Sequence, residues 1–216
     1  MLLGRGLARY VEQFSGNALT DNVFHQAPSV CRAARERLNG HRALVIWFTG
    51  LSGAGKTTLA NALEAELHRQ GRRTLVLDGD NVTQGLCADL GFLVQDRHEN
   101  LRRVAEMARM TVEAGVVTLA AFISPLAEDR AMVRSIVGAA SLFEVYVRCP
   151  LDVCETRDVK GLYKKVRRGE IDNFTGISAP YDAPDSADLV LDTGVMPAAA
   201  CVAILLQRLQ SRMALP

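Results

Sequence analysis

A glycine-rich stretch around residue 50 carries the residue types that bind phosphate groups. It reads GLSGAGKT over 50–57, which satisfies the pattern G-x-x-x-x-G-K-[ST] with Gly50, Gly55, Lys56 and Thr57. Glycines let consecutive backbone N–H groups point into one concavity, where a lysine can reach the β- and γ-phosphates of a nucleoside triphosphate. The threonine hydroxyl is suited to ligating Mg²⁺. The pattern therefore predicts a site for a nucleoside triphosphate with magnesium.

The whole loop and the first helical turn after it are expected to bind the nucleotide. These residues are Gly50, Leu51, Ser52, Gly53, Ala54, Gly55, Lys56, Thr57 and Thr58. Switch GTPases ordinarily carry an N-K-x-D element that reads the base, and this sequence has none. The chain is also short for an ATPase motor. A small kinase that uses ATP and Mg²⁺ is the interpretation that remains.

A pair of carboxylates follows a second apolar stretch. The sequence LDGDN places Asp78 and Asp80 at the end of a predicted strand over 74–78. Ligands of α/β folds bind at the carboxyl ends of the strands, so these carboxylates should lie near the phosphate loop. One of them could accept a hydroxyl proton while the other holds the metal through water. The alternative is that Asp-Gly serves only as a turn.

Short apolar runs rich in β-branched residues alternate with longer amphipathic segments from His41 onward. This alternation predicts an α/β fold of the P-loop NTPase type, with a parallel sheet of about five strands flanked by helices on both faces. Apolar residues at three- and four-residue steps predict four helices between and after the strands. The predicted strands span 43–49, 74–78, 116–122, 142–147 and 188–193, and the predicted helices run up to Gly71, over 97–115, over 128–138 and over about 197–212.

The segment over 157–186 shows neither the helical nor the strand period. It is basic at first and then rich in Pro, Asp and Ser. A structureless segment of this length inside a compact domain is usually a lid or a binding loop. Tyr163, Phe174 and Tyr181 favour that interpretation, because aromatic side chains would be poorly placed in a merely floppy loop.

Size and composition limit the domain organisation, the partners and the cellular compartment that we expect for this protein. Nothing in the middle of the 216 residues reads as a linker, so we expect a loosely ordered extension over 1–21 and a single domain over 22–216. A formal net charge of +1 gives no global attraction to nucleic acid or to anionic membranes. The five scattered cysteines include no C-x-x-C pair, which argues against a disulfide framework and favours the cytoplasm.

Several blocks of the sequence, in order, resemble the adenylylsulfate kinase family. They are GLSGAGKTT, LDGDNV, DRHENLRRVAEMA, AFISP, CETRDVKGLYKKVRRGEI and NFTGI, and the resemblance extends over about 22–195. It implies transfer of the ATP γ-phosphate to the ribose 3'-hydroxyl of adenosine 5'-phosphosulfate (APS). The products would be 3'-phosphoadenylylsulfate and ADP, within sulfate assimilation.

The resemblance also implies which residues bind the acceptor. Phe92 and Phe174 resemble two rings that hold the acceptor adenine between them, as suits a flat base with two π-faces. Arg97 and Asn100 resemble residues that contact the phosphosulfate and the ribose, and arginine matches such an anion through charge-assisted hydrogen bonds. The other positions implied to contact the acceptor are Asp78, Asp80, Ile123, Ser124, Thr175, Gly176 and Ile177.

Three further roles come from the same resemblance. Lys160 looks like the basic part of a mobile lid, which would exclude water and favour transfer over hydrolysis. Arg157, in the same block, is implied to bind the nucleotide. Ser124 matches a serine that the family describes as a phosphorylated intermediate, but a positioned hydroxyl can attack directly, so a mere polar contact stays open. Lys56, Asp80 and Ser124 are thus the candidate catalytic residues.

The chain departs from the family pattern at one acceptor-binding position. Thr83 stands where an arginine is usual, and the loss of one charge-assisted contact costs about 1.5–3 kcal/mol. Arg148 stands where family members often carry an acidic residue. Two alternatives to an active APS kinase therefore stay open: a non-catalytic, nucleotide-sensing regulatory relative, and a kinase for another small acceptor. The intact Lys56 and Asp80 favour the active kinase.

Expected partners follow from the resemblance and the composition. The resemblance suggests a homodimer and a functional association with ATP sulfurylase. APS is the expected small-molecule substrate, and neither nucleic acid nor a membrane is expected as a partner.

Overall fold

The computed structural model describes residue 26 and residues 28–215 of the chain. The chain divides into two units, Met1–Val30 and Cys31–Pro216, and the fold and candidate site lie in the second. The extension predicted over 1–21 falls outside the described residues. Within the described part of the chain, no helix combines the length and the apolar character that spanning a membrane requires.

Five parallel strands form one sheet. They are β1 (Val45–Thr49), β2 (Thr74–Asp78), β3 (Val117–Ala121), β4 (Leu142–Arg148) and β5 (Leu189–Asp192). Their spatial order is β2-β3-β1-β4-β5, so β1 lies at the centre and β3 separates it from β2. In the register of the central strands, Phe48 stands beside Ala121 and Val145. The predicted parallel sheet of five strands is confirmed.

Eight α-helices accompany the sheet within the described residues. They are α1 (Arg32–Asn39), α2 (Lys56–Arg69), α3 (Gly79–Gln84), α4 (Val94–Glu113), α5 (Ala127–Val137), α6 (Leu151–Arg157), α7 (Leu162–Arg167) and α8 (Ala198–Met213). Only α2, α4, α5 and α8 were predicted, because a helix of six to eight residues is too short to reveal a 3.6-residue period. Helix α7 lies inside the predicted lid, so the expectation that this segment lacks regular structure is wrong.

The two faces of the sheet bury separate apolar cores. Successive side chains of a strand point to opposite faces. The side chains of β1 and of the residue before it therefore alternate between the two cores. Leu44, Ile46 and Phe48 pack with the apolar residues of α2 and α8. Val45 and Trp47 pack on the other face with those of α4 and α5. Helices therefore cover both faces, as the sequence predicted.

The parallel arrangement brings three connections to one edge of the sheet. β1 ends at Thr49 and leads into the glycine-rich loop, and β2 ends at Asp78. β3 ends at Ala121 and leads into the turn Phe122–Pro125. Because parallel strands have their carboxyl ends at the same edge, this edge gathers the residues that the sequence singled out.

Candidate active site

The glycine-rich loop joins β1 to α2 as a compact cradle. Its first glycine, Gly50, has φ +152°, and a Cβ there would lie 2.5 Å from the carbonyl oxygen of Val147. No other residue type fits so close to the neighbouring strand. Gly55, with φ +100°, is the N-cap residue immediately before α2. The positive end of the α2 dipole and the free N–H groups of its first turn therefore face the concavity, as anion binding requires.

Lys56 lies buried beneath this loop. Its Nζ donates hydrogen bonds to the carbonyl oxygens of Gly50 (2.9 Å) and Leu51 (2.8 Å). Burial lowers the pKa of Lys56 to about 8, and the nearby Lys160 acts in the same direction. The loop carbonyls are neutral dipoles, so they stabilise the ammonium less than phosphate oxygens would.

Asp78 connects the phosphate loop to the second strand. Thr57 donates its hydroxyl to Asp78 Oδ2 at 2.7 Å, and Asp78 Oδ1 accepts the backbone N–H of Asp80 at 3.0 Å. Asp78 therefore caps the N-terminus of α3 as well as holding Thr57. Asp78 is buried, whereas 61% of the Asp80 side chain is exposed.

The lid reaches the phosphate edge through Lys160. Its Nζ forms an ion pair with Asp80 Oδ2. Two residues before Lys160, the Asp158 carboxylate accepts the backbone N–H groups of Tyr163 (3.0 Å) and Lys164 (3.1 Å), which fixes the start of α7. Lys160 therefore lies in the turn that leads into the short, capped helix α7.

Arg97 on α4 reaches the far part of the lid. Its guanidinium donates to the carbonyl oxygen of Asn173 (2.6 Å) and to the hydroxyl of Thr175 (3.3 Å). Burial lowers the pKa of Arg97. Phe174 packs edge-on against Tyr163, with ring centroids 5.0 Å apart, whereas 74% of Phe92 is exposed. The Phe92 ring is thus largely exposed to solvent.

Ser124 lies in the turn after β3 and is almost completely buried. Its hydroxyl oxygen accepts a hydrogen bond from Trp47 Nε1 at 3.1 Å. Its φ of +38° belongs to the left-handed region, which costs a non-glycine residue about 1–2 kcal/mol. A strained residue at this edge of the sheet needs surrounding contacts to hold it in place.

Side chains outside the glycine-rich motif hold the backbone of the phosphate loop. Tyr163 donates its hydroxyl to the carbonyl oxygen of Ser52 (2.9 Å), and Thr193 donates its hydroxyl to that of Ala54 (2.7 Å). Arg157 donates to the carbonyl oxygen of Thr193 at 2.6 Å, with a longer contact of 3.5 Å to that of Gly53. These contacts tie the lid, the loop after β5 and the phosphate loop together.

Comparison with known proteins assigns the chain to a family. The sequence profile described as adenylylsulphate kinase matches residues 42–192, more than half of the chain. The chain belongs to the adenylylsulphate kinase family. It is therefore an enzyme, a kinase of the transferase class that binds nucleotides.

Three relatives of this kinase each match more than three quarters of this chain. It is 56% identical over 171 residues to the adenylyl-sulfate kinase of Shewanella amazonensis, covering 79% of this chain and 86% of the relative. The Mycobacterium tuberculosis APS kinase CysC, solved with AMPPNP and APS, is 44% identical with a TM-score of 0.76, covering 78% and 98% of the two chains. A hexameric APS kinase from Thiobacillus denitrificans is 28% identical with a TM-score of 0.60, covering 80% and 30%. These comparisons give the regulatory alternative no support.

The kinase gathers its sequence-predicted residues into two neighbouring groups. The phosphate loop, Asp78, Asp80, Lys160 and Arg157 form one group, whereas Arg97 and residues 173–177 of the lid form the other. Asn100 follows Arg97 by one helical turn and is half-buried, and Ile123 precedes Ser124 in the turn after β3. Sequence reasoning missed Trp47, Arg130 and Thr193. No motif marks them, because Trp47 and Thr193 bond to residues 77 and 139 positions away along the chain, and Arg130 pairs with a carboxylate on another element, Glu144 of β4.

The kinase does not replace the missing arginine at position 83 through Arg148. Thr83 donates its hydroxyl to the carbonyl oxygen of Gly79 within α3, at 2.8 Å. Arg148, at the end of β4, is paired with Asp192 on β5 through contacts of 3.0 and 2.9 Å. Its charge is therefore engaged with the neighbouring strand on the side of the sheet away from β2.

Proposed function

We propose that this adenylyl-sulfate kinase transfers the γ-phosphoryl group of ATP to the ribose 3'-hydroxyl of APS, giving 3'-phosphoadenylylsulfate and ADP for sulfate activation. One observation carries the proposal. The phosphate loop with Lys56, the carboxylates Asp78 and Asp80, and the lid residue Lys160 all meet at one edge of the sheet. A phosphoryl donor and a hydroxyl acceptor need that combination of cations, amides and a carboxylate.

Lys56 and the amides of the phosphate loop would hold the donor phosphates. Phosphate oxygens replace the carbonyl partners of Lys56, and the ammonium then offsets negative charge that develops on the transferring group. Thr57 and Asp78 fit a site for Mg²⁺, because a hydroxyl and a carboxylate oxygen 2.7 Å apart are the hard oxygen ligands that this ion takes. When bound, the ion supplies charge neutralisation between the phosphates. Arg157 would contact the nucleotide beside the loop.

Asp80 would orient the acceptor hydroxyl and take its proton. The 3'-oxygen forms a bond to the γ-phosphorus, the bond from that phosphorus to the bridging oxygen breaks, and ADP leaves with the bond electrons. In the structure the Asp80 carboxylate is paired with Lys160. Release of this pair would let Lys160 turn to the phosphates while Asp80 turns to the hydroxyl. Ser124 would contribute a polar contact or an essential hydroxyl.

The second group of residues would bind the acceptor. Arg97 and Asn100 on α4 would contact the phosphosulfate and the ribose. Phe92 and Phe174 would hold the adenine between their rings, and aromatic stacking of a base is worth about 1–3 kcal/mol. The remaining residues proposed to line this pocket are Ile123, Thr175, Gly176 and Ile177.

Assembly and location also belong to the proposal. We propose a homodimer in the cytoplasm, with ATP sulfurylase as a functional neighbour. The relative from Thiobacillus denitrificans is described as hexameric, so subunit association occurs in the family. Sedimentation of the purified kinase would distinguish a dimer from a hexamer.

The experiment is a transfer assay with γ-labelled ATP, Mg²⁺ and APS. Labelled 3'-phosphoadenylylsulfate from the native kinase, and its near-complete loss in Lys56→Ala, would support the proposal. Tight nucleotide binding without product would favour the regulatory alternative instead. Label appearing only when other small alcohols replace APS would point to a different acceptor.

A further inference from the structure

The turn that carries Ser124 is held from inside the protein by an arginine. Arg130, on the first turns of α5, donates through one guanidinium nitrogen to the carbonyl oxygens of Ser124 (2.9 Å) and Pro125 (3.1 Å). Only 7% of Arg130 is exposed, so no water layer separates it from the turn. Each of these bonds is charge-assisted and therefore stronger than an ordinary backbone contact.

The buried arginine is itself held by a buried carboxylate on β4. Arg130 Nε lies 3.3 Å from Glu144 Oε1, a charge contact without hydrogen-bond alignment. The other oxygen of Glu144 accepts a bond from Arg134 at 3.0 Å. Arg134 also reaches Asp188 and is partly exposed. Arg130 and Arg134 thus share one carboxylate, but only Arg130 has a described bond to the turn after β3.

The same turn is where the root of the lid attaches. The Pro125 carbonyl that accepts from Arg130 also accepts the backbone N–H of Asp182 at 2.9 Å. The Asp182 carboxylate in turn accepts the N–H of Ala127 at 3.1 Å. Both hydrogen-bonding positions of the Pro125 oxygen are therefore occupied, one by the buried arginine and one by the lid.

A second attachment joins the lid root to the phosphate loop. Tyr181 lies within hydrogen-bond distance of the Thr49 hydroxyl, 3.0 Å away. Thr49 donates to the carbonyl oxygen of Ile123 at 2.7 Å, and the N–H of Gly50 lies 3.4 Å from the same oxygen. Since the Thr49 proton goes to Ile123, the Tyr181 hydroxyl donates to Thr49. The turn after β3 is thus the common support of the phosphate loop and the lid.

We propose that Arg130, held by Glu144, is a positioning residue that fixes the turn Ile123–Pro125 and, through the Pro125 carbonyl, the root of the lid. This inference rests on the proposed kinase function. The turn lies between the end of β2, which carries the carboxylates, and the end of β1, which carries the phosphate loop. A shift of the turn would misplace the lid relative to both, and a displacement of 1 Å can lower a rate about 100-fold.

The test compares Arg130→Lys with Arg134→Lys. A lysine keeps the charge, but its single ammonium cannot span Glu144 and two carbonyl oxygens in the way that a guanidinium fork does. We expect Arg130→Lys to lower kcat about tenfold or more and to raise the ratio of ADP formed to 3'-phosphoadenylylsulfate formed, because a misplaced lid admits water. Arg134→Lys loses charge contacts of the same type on the same helix, and it should leave that ratio unchanged.

The ratio of ADP to 3'-phosphoadenylylsulfate distinguishes a positioning role of Arg130 from a mere effect on the stability of the protein. A variant that is merely less stable has fewer active molecules, which lowers both products together and leaves the ratio unaltered. Tyr181→Phe removes the second attachment from the lid side without touching the buried pair, so it should raise the ratio even if Arg130→Lys fails to fold. Combined with Arg130→Lys it should give a non-additive effect on kcat, because both act on one turn. A native ratio in Tyr181→Phe and in any folded Arg130→Lys would overturn the inference.

A separate experiment distinguishes failure of the proposed kinase function from failure of this inference. If the native kinase forms no product from APS, trypsin cleavage of the lid is measured in the presence of ADP and Mg²⁺. Faster cleavage in Arg130→Lys than in Arg134→Lys would support the inference. If Arg130→Lys does not fold, Tyr181→Phe takes its place in this comparison. Equal rates of cleavage would overturn it.

Discussion

Nucleotide binding should take up a proton at alkaline pH, and Lys56 should be the group that takes it. Burial lowers the pKa of Lys56 to about 8, from an ordinary value of 10.5. Its two carbonyl partners, on Gly50 and Leu51, carry no net charge. The phosphates of a bound nucleotide bring negative charge to the same ammonium, which should return its pKa toward the ordinary value.

The size of the effect follows from the pKa. With a pKa of about 8, roughly three quarters of the Lys56 side chains are neutral at about pH 8.5, against about one tenth at about pH 7. Binding should therefore take up about 0.7 proton per site at the higher pH and about 0.1 at the lower. The free protein holds fewer protons than the complex, so the affinity should fall about tenfold for each pH unit above about 8.

The lowered pKa of Lys56 also determines whether the folded protein becomes more or less stable as the pH rises. Between about pH 8 and 10.5 the unfolded chain binds more protons at Lys56 than the folded protein does. The burial of this ammonium therefore disfavours folding most at low pH. As the pH rises through that window, Lys56 should therefore increase the free energy of unfolding, which means that the folded protein becomes more stable.

Isothermal titration calorimetry measures the proton uptake directly. ADP with Mg²⁺ is titrated into the kinase in buffers of different ionisation enthalpy, and the slope of the observed enthalpy against that quantity gives the protons taken up. Lys56→Arg is the control, because its guanidinium stays charged throughout and should remove the uptake while retaining part of the binding. Uptake that is equal at both pH values, or that persists in Lys56→Arg, would refute the reasoning.

Three further substitutions test contacts around the two substrates. Thr83→Arg should lower KM for APS about tenfold or more, because a charge-assisted bond is worth about 1.5–3 kcal/mol; initial rates at varied APS concentration measure it. Gly176→Ala should raise KM for ATP several-fold, because its Cβ would lie 2.8 Å from Leu51 Cδ2 in the phosphate loop. Tyr163→Phe removes one bond to that loop, which is worth about 1 kcal/mol and should lower Tm by about 2–4 °C in a thermal melt.

Matched variants control these predictions. Thr83→Val removes the hydroxyl without adding charge, and a gain in APS affinity equal to that of Thr83→Arg would contradict the charge argument. Gly169→Ala sits at φ +72° with no atom within 4 Å of its Cβ. It shares the backbone strain of Gly176→Ala without the clash, so an equal rise in KM would show that strain alone is responsible. An unchanged Tm in Tyr163→Phe would mean that water replaces the lost bond.

Sequence patterns predicted the phosphate cradle and most of the strands and long helices of this kinase, because these features arise from residues that are neighbours along the chain. The glycines, Lys56 and Thr57 lie within eight consecutive residues, and a strand before them with an amphipathic helix after them is enough to build the cradle. The alternation of apolar runs with helical periods likewise depends only on neighbours along the chain. Helix α7 escaped prediction because six residues cannot show a period, and because the cap that starts it, Asp158, acts across a turn.

Patterns along the chain were enough to predict the α/β class, the phosphate cradle and the carboxylate pair, and the resemblance was enough to predict the family. How these parts meet became visible only in the folded protein. Thr57 reaches Asp78 although β3 lies between their strands, and Trp47 on β1 reaches the hydroxyl of Ser124, 77 residues further along the chain. Such contacts depend on the order of strands in the sheet and on burial of side chains distant in sequence, and no spacing along the chain encodes either of them.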